Sequence, residues 1–194
     1  MTTKKIAQDK FTILIDCDGV LANFVGGVEK EFDVDLTGLD HWGMWDEIGI
    51  SPEEFWKQIQ QNDRFWADLE PYPWARSLVN TIDEWTKGDS CIVTSPDRAV
   101  STFAQKAYWV YNHFPHYNRK LFIGARKELM ADDTTILIDD SQKNCDKFKD
   151  HGGSAIVFPQ LWNNLNQEPD MSCIKHVEAS IEEIVEQWSN AVTN

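Results

Sequence analysis

The sequence predicts an α/β fold: a doubly wound, Rossmann-like parallel sheet flanked by helices, with a small helical segment inserted after the first strand. Three observations predict it. Five short apolar runs, at residues 12–15, 91–93, 121–123, 135–138 and 155–158, have the length and β-branched content of buried strands. Stretches with helical spacing of apolar residues lie between most of them. Residues that carry chemistry follow four of the runs: Asp16 with Asp18, Thr94 with Ser95, Lys127, and Asp139 with Asp140. Ligands bind beyond the carboxyl ends of the strands in such a sheet, so these groups are expected at one edge.

The elements follow in order. Thr-Ile-Leu-Ile at 12–15 forms the first strand, and Asp16-Cys-Asp-Gly19 comes next. Residues two apart on extended chain share a face, so Asp16 and Asp18 can converge. Gly19 lets the chain turn and lets a ligand approach the backbone. Leu21, Phe24, Val25, Val28 and Phe32 have helical spacing over 21–32. Residues 33–74 differ from the rest, holding Trp42, Trp45, Trp56, Trp66 and Trp74 among acidic and turn residues. Within them Ser51-Pro-Glu-Glu54 is a helix start with Ser51 as N-cap, Pro52 at N1 and Glu54 at N3. Phe55, Trp56 and Ile59 form that helix's apolar side, and Pro71 and Pro73 close the segment. Most of its aromatics form a small core, and some line a pocket, because aromatic faces stack on planar ligands.

Residues 76–87 are helical through Leu78, Val79, Ile82 and Trp85, with Gly88 as the stop. The strand at 91–93 leads into Thr94-Ser-Pro96. Over 100–114 an amphipathic helix is expected with Phe103, Ala107, Val110 and Tyr111 as its apolar side. Residues 121–123 precede Gly124 and the basic pair Arg126-Lys127, and 135–138 run into Asp139-Asp140. A helix over 141–149 ends near Gly152-Gly153, a strand follows at 155–158, and 159–171 read as loop. Ile181, Ile184, Val185 and Trp188 mark a last helix over 180–188. No internal repeat or low-complexity segment interrupts this order.

Composition excludes several classes of function. The 194 residues suffice for one α/β domain plus an insertion. A net charge of −14 disfavours long nucleic acid as a partner. No apolar run is long enough for a membrane span. Residues 1–10 are polar, without the apolar centre of a signal peptide. Cys17, Cys91, Cys145 and Cys173 are scattered without CxxC spacing, which speaks against a zinc site or a disulfide framework and fits a reducing cytoplasm. A homodimer is allowed but not specified.

Carboxylates gathered at one strand edge cannot all stay ionised without a cation. Hard oxygen ligands in an open site suit Mg2+, which takes one or two carboxylates plus a substrate phosphate. A hydroxyl and a lysine supply a hydrogen bond and a positive charge for phosphate oxygens. One carboxylate can attack phosphorus, and a second can protonate the leaving alkoxide and then activate water. The set describes transfer of a phosphoryl group from a small phosphomonoester to water.

In the order Asp16-Cys-Asp-Gly-Val20, Thr94-Ser-Pro96, Lys127, Asp139-Asp140, the chain resembles the haloacid dehalogenase superfamily of phosphatases; receiver domains use similar residues in another order. Asp18-Gly-Val-Leu-Ala-Asn-Phe24, Phe65-Trp66 with Leu69-Glu-Pro-Tyr-Pro73, Ala107-Tyr-Trp-Val110, Leu137-Ile-Asp-Asp140 and Phe158-Pro-Gln160 with Trp162-Asn163 make it similar to the 5′(3′)-deoxyribonucleotidases over nearly its whole length. The resemblance implies a nucleoside monophosphate as substrate. It makes Asp16 the nucleophile, Asp18 the general acid/base, Thr94 the phosphate-binding hydroxyl and Lys127 the charge screen. It implies a Mg2+ site from Asp16, Asp139 and the main-chain carbonyl of Asp18, with Asp140 in support through water. Residues 23–76 correspond to a helical cap and residues 1–22 with 77–194 to the core domain. Phe65 and Trp66, then Trp42 and Trp45, are expected to hold the base, and Ser95 to reach the nucleoside. Adjacent helical residues point about 100° apart, so one of Phe65 and Trp66 faces the ligand, and the larger Trp66 is the choice. The stretch from Lys127 to Asp139 is longer than the family pattern, which keeps Lys120 as an alternative. Two other readings stay open: a phosphatase or phosphotransferase for a different small phosphoester, and a binding protein that keeps the fold without turnover.

Overall fold

A computed structural model describes residues 11–191; the polar 1–10 stretch, expected to lack a signal peptide, lies outside the described residues. Five parallel strands form one sheet in the order β3-β2-β1-β4-β5: β1 (Thr12–Asp16), β2 (Ser90–Thr94), β3 (Leu121–Ile123), β4 (Thr135–Asp139) and β5 (Ser154–Val157). This is the doubly wound arrangement the sequence predicts, and the strand order reverses at β1. Register sets the site. Asp16 pairs with Val93, one residue short of Thr94, and Ile15 pairs with Ile138, one short of Asp139. The carboxyl ends of β1, β2 and β4 therefore finish level with one another.

Both faces of the sheet are covered. Ile13, Ile15, Ile92, Ile136 and Ile138 share one buried cluster with α4 (Ala75–Thr86), α5 (Val100–His113) and α7 (Cys173–Ala191). Leu14, Val93 and Leu137 point the other way, onto Cys145 and Phe148 of α6 (Gln142–Asp150). Strand alternation with apolar residues on both faces is the pattern of a sheet buried on both sides.

Three helices lie between β1 and α4: α1 (Phe24–Phe32), α2 (Met44–Ile48) and α3 (Pro52–Gln61). Their Phe24, Val28, Met44, Phe55 and Ile59 join the same buried cluster as the isoleucine face of the sheet. The Ser51 cap forms as expected: its Oγ accepts from the Glu54 N–H at 3.2 Å, and the Glu54 carboxylate accepts from the Ser51 N–H at 3.0 Å. α1 begins later than its spacing suggests. The Cys17 carbonyl accepts from the N–H groups of Leu21 and Ala22, both at 2.8 Å, which winds residues 20–22 into a tight loop. Asn23 then caps α1 by accepting from the Gly26 N–H at 2.9 Å.

Two helices depart from expectation. α5 buries Thr102, Gln105, Lys106, Trp109 and Val110, leaving Phe103, Ala107 and Tyr111 exposed. Its inward side is polar over the first half because that half faces the site rather than the core. α7 starts at Cys173, well before residue 180, because Cys173 and Val177 are also buried. Among the described residues no helix is long and apolar enough to cross a membrane.

Candidate active site

Asp16 closes β1 and Asp139 closes β4, and Lys127 stands between them. The lysine leads a short 3-10 turn, Lys127–Met130, beyond β3. Its Nζ lies 2.6 Å from Asp16 Oδ1 and 2.6 Å from Asp139 Oδ2, and all three side chains are buried. Lys120, the alternative, donates instead to the Gly88 carbonyl, next to the start of β2 and away from the acids. Burial, then the nearby Asp139, pushes the Asp16 carboxyl up from 3.8 to about 7, against the pull of Lys127. Burial works against the charge of Lys127, but Asp16 and Asp139 together more than offset it and hold the ammonium above its ordinary range.

The two oxygens of Asp139 are fully engaged. Oδ1 accepts from the Ser141 N–H at 2.9 Å and Asn144 Nδ2 at 3.2 Å; Oδ2 accepts from Lys127 and from Asn144 Nδ2 at 3.1 Å. Asp140 is different. Its Oδ2 accepts from Trp162 Nε1 at 2.7 Å, and its side chain lines the cavity described below. Burial, then Asp139 and Asp16, raises its carboxyl well above the usual range. Asp140 lines the open space, and Asp139 pairs with the lysine. Gly19 is required here. It has φ +78°, and a Cβ on it would stand 2.5 Å from Asp140 Oδ2.

Asp18 meets a residue that sequence reasoning missed. Lys106 of α5 is buried, ion-paired to Asp18 Oδ2, and donates to Thr94 Oγ1 at 3.1 Å. Thr94 in turn donates to Asp18 Oδ2 at 3.4 Å. Trp162 was also unassigned; it is the donor to Asp140, and Asn163 beside it donates to the Asp140 carbonyl at 2.9 Å. The signal for Lys106 was a lysine one turn from Thr102 on the inward stripe, hidden by the neighbouring Phe103 and Ala107. For Trp162 the signal was its place in a motif after β5.

These groups open onto a cavity of about 1150 Å³. Its acidic end holds Asp16, Asp18, Lys127 and Asp140, and Ser95 lies on its wall. Five aromatic residues also line it: Phe24, Trp42, Trp56, Trp66 and Trp162. Of the four aromatics expected to hold a ligand, the structure brings Trp42 and Trp66 to this wall. Phe65 is buried against α1, its ring 3.5 Å from where a Cβ on Gly27 would stand, and Trp45 packs edge-on to Phe55. Trp66 is 5% exposed. Phe24 stacks on it at 5.2 Å, and Lys106 Nζ lies 3.9 Å from its ring centroid. Its faces are occupied, so it does not offer the free stacking surface expected of it. Trp42 is 38% exposed, stacks on Phe24 at 5.4 Å and meets Trp162 edge-on at 5.8 Å.

Asp16, Asp139 and Asp140 can each present one oxygen within 4.8 Å of the others. Three buried carboxylates with one lysine among them make a hard, anionic oxygen site, and the raised Asp16 and Asp140 carboxyls show its demand for positive charge. That donor set fits Mg2+. The Asp18 carboxylate is not in it, being turned toward Lys106.

Residues 10–186 match the family model described as 5′ nucleotidase, deoxy (pyrimidine), cytosolic type C protein (NT5C). Over 141 residues, 66% of this chain, the sequence is 28% identical to the mitochondrial 5′(3′)-deoxyribonucleotidase of Mus musculus and 30% identical to that of Homo sapiens. The match spans 63% and 61% of those two proteins. A HAD family hydrolase from Deinococcus radiodurans, solved with phosphate and sodium, superposes with a TM-score of 0.55 at 14% identity, covering 92% of this chain and 97% of that one. The HAD-hydrolase YfnB from Bacillus subtilis, solved with magnesium, does so at 0.53 and 13%, covering 84% and 90%. Both likenesses are of fold.

Proposed function

The chain belongs to the family described as 5′ nucleotidase, deoxy (pyrimidine), cytosolic type C protein, and on that premise we propose that it is a Mg2+-dependent phosphomonoesterase releasing nucleoside and phosphate from a (deoxy)nucleoside monophosphate. The observation that carries this reading is the buried Asp16–Lys127–Asp139 bridge beside Asp18 and Asp140, opening onto an aromatic-walled cavity.

Each residue then has a task. Lys127 and the Cys17 N–H, the latter at 2.7 Å, both hold Asp16 Oδ1, which leaves Oδ2 to attack phosphorus. The Oδ2–phosphorus bond forms as the bond to the leaving alkoxide breaks, and Asp18 gives that alkoxide a proton. Asp18 then takes a proton from the water that hydrolyses the aspartyl-phosphate, returning both carboxyl groups to their starting state. Thr94, Ser95 and Lys106 offer donors to the phosphate oxygens. Asp16, Asp140 and the Asp18 carbonyl would hold Mg2+, which when bound neutralises charge shared by the carboxylates and the phosphate. Asp139 keeps Lys127 in place. Residues 23–76 act as the cap that closes over the nucleoside, and Trp42 and Trp56 are its stacking surfaces. Support for Mg2+ comes from the donor set and from magnesium in YfnB. The four free cysteines fit a cytoplasmic setting.

The test is a screen of nucleoside 5′- and 3′-monophosphates with and without Mg2+, run on wild type, Asp16→Asn and Asp18→Asn. Turnover should need Mg2+ and vanish in both variants, with phosphate trapped on the protein in Asp18→Asn alone. Hydrolysis of a generic aryl phosphate without any nucleotide turnover would overturn the substrate class; near-wild-type rates in Asp16→Asn would overturn the nucleophile.

A further inference from the structure

Among the described residues, three buried side-chain polar atoms lack a hydrogen-bond partner: Asp18 Oδ1, Trp66 Nε1 and Asp97 Oδ2. All three side chains line the same cavity. Buried polar groups in folded proteins are paired with few exceptions, and each exception calls for a cause. Proton transfer to the leaving group accounts for Asp18. Nothing in the proposed reaction accounts for the other two.

Asp97 follows Thr94-Ser-Pro96 directly. Its Oδ1 accepts from the Ala99 N–H at 2.6 Å and from Thr102 Oγ1 at 2.6 Å, at the entry to α5. Those two bonds fix the carboxylate plane, so Oδ2 is oriented before any ligand arrives. Ordering the entry to α5 needs one oxygen, and Ser or Asn would supply it. The second oxygen is surplus to that role and is buried without a partner, in a residue that lines the cavity beside Ser95 and Arg98. Trp66 is buried and also lines the cavity, and its indole N–H is an unpaired donor.

We propose that Asp97 is a specificity-determining residue, whose Oδ2 accepts a hydrogen bond from the leaving-group half of the substrate while Trp66 Nε1 donates to an acceptor on the same half. The inference rests on the nucleotidase reading and deepens it: the nucleoside must present a donor to Asp97. Three groups share that chemistry, namely an exocyclic amino group of the base, a ring N–H, and a sugar hydroxyl.

Asp97→Asn is the test, because it keeps Oδ1 and the α5 entry but turns the free acceptor into a donor. kcat/KM is measured for three matched pairs: deoxycytidine against deoxyuridine monophosphate, cytidine against deoxycytidine monophosphate, and thymidine against N3-methylthymidine monophosphate. Wild type should favour the member carrying the donor in one pair by about 10- to 100-fold, the range of a hydrogen bond to a charged group. Asp97→Asn should erase or invert that ratio in that pair alone, which names the source. If Asp97→Asn does not fold, Asp97→Ser, which keeps a capping oxygen and lacks the second one, should erase the ratio without inverting it. A wild type that discriminates in none of the pairs, or variants that retain its ratios, overturn the inference and leave the nucleotidase reading standing. A wild type that hydrolyses aryl phosphate and no nucleotide overturns both.

Discussion

Replacing Asp16 by Asn should stabilise the metal-free protein while removing its turnover. The ionised Asp16 is disfavoured by burial and by Asp139, which displaces its carboxyl from 3.8 to about 7. At about 1.4 kcal/mol for each pH unit, that displacement amounts to about 4 kcal/mol above pH 7. The sign follows from proton binding. Between about pH 4 and pH 7 the folded protein holds a proton that the unfolded chain has released, so stability falls as pH rises through that window. The neutral amide introduced by Asp16→Asn carries no such penalty. Its oxygen can still accept from the Cys17 N–H and from Lys127, so the local bonding survives. Asp140 can take the shared proton instead of Asp16, which brings the expected gain to about 2–4 kcal/mol, or on the order of 10 °C in Tm. Thermal unfolding in EDTA at pH 4.5 and pH 8 measures it. Asp16→Asn should melt close to wild type at pH 4.5 and well above it at pH 8, and Mg2+ should narrow the gap by stabilising wild type more. An Asp16→Asn protein that melts at or below wild type at pH 8, or a gap equal at both pH values, refutes the reasoning.

Three further outcomes are expected. Asp140→Ala should weaken Mg2+ binding more than Asp139→Ala in calorimetric titration. Asp139→Ala should instead cost about 3–5 kcal/mol of stability by leaving Lys127 short of a buried partner, and the reverse ranking would exchange their roles. Trp42→Ala should raise KM for a nucleoside monophosphate by about 5- to 150-fold with less effect on an aryl phosphate. Trp66→Ala should lower Tm, because Phe24 and Lys106 pack against its ring, and should cost the nucleotide more than the aryl phosphate through loss of the Nε1 donor; equal loss of both activities would leave Trp66 a packing role alone. Lys106→Met should reduce kcat by about 10²–10³-fold while far-UV circular dichroism stays native, since it removes a buried cation from Asp18 and Thr94; unchanged kcat would make that cation structural.

The strands and the acids at their ends were legible because each is written locally. A buried parallel strand is a short apolar run, and the acids follow it within two residues. Lys106 was not legible in that way. It touches Asp18 across 88 residues, and periodicity assigned the inward side of α5 to Phe103, Ala107 and Tyr111. A helix whose first half faces a site buries polar side chains, so a hydrophobic stripe points to the wrong side. That Lys127 and Asn144 claim Asp139 rather than Asp140 was equally out of reach, because it depends on packing between distant elements. For the aromatics, composition showed that residues 33–74 were unusual, but only packing shows that Trp66 is sandwiched and Trp42 is not.

The edge-on contact of Trp42 with Trp162 has an optical consequence. One indole belongs to the helical segment after β1, and the other to the loop after β5 that is tied to Asp140. Two indoles 5.8 Å apart with planes inclined by 61° couple through their transition dipoles. That coupling, through the intense indole transition, gives a far-ultraviolet circular dichroism couplet that fades steeply with separation. The protein thus carries its own gauge of distance across the mouth of the cavity. A difference spectrum between wild type and Trp162→Phe isolates the couplet, and its amplitude during a ligand titration shows whether the two indoles change their separation, without any attached dye.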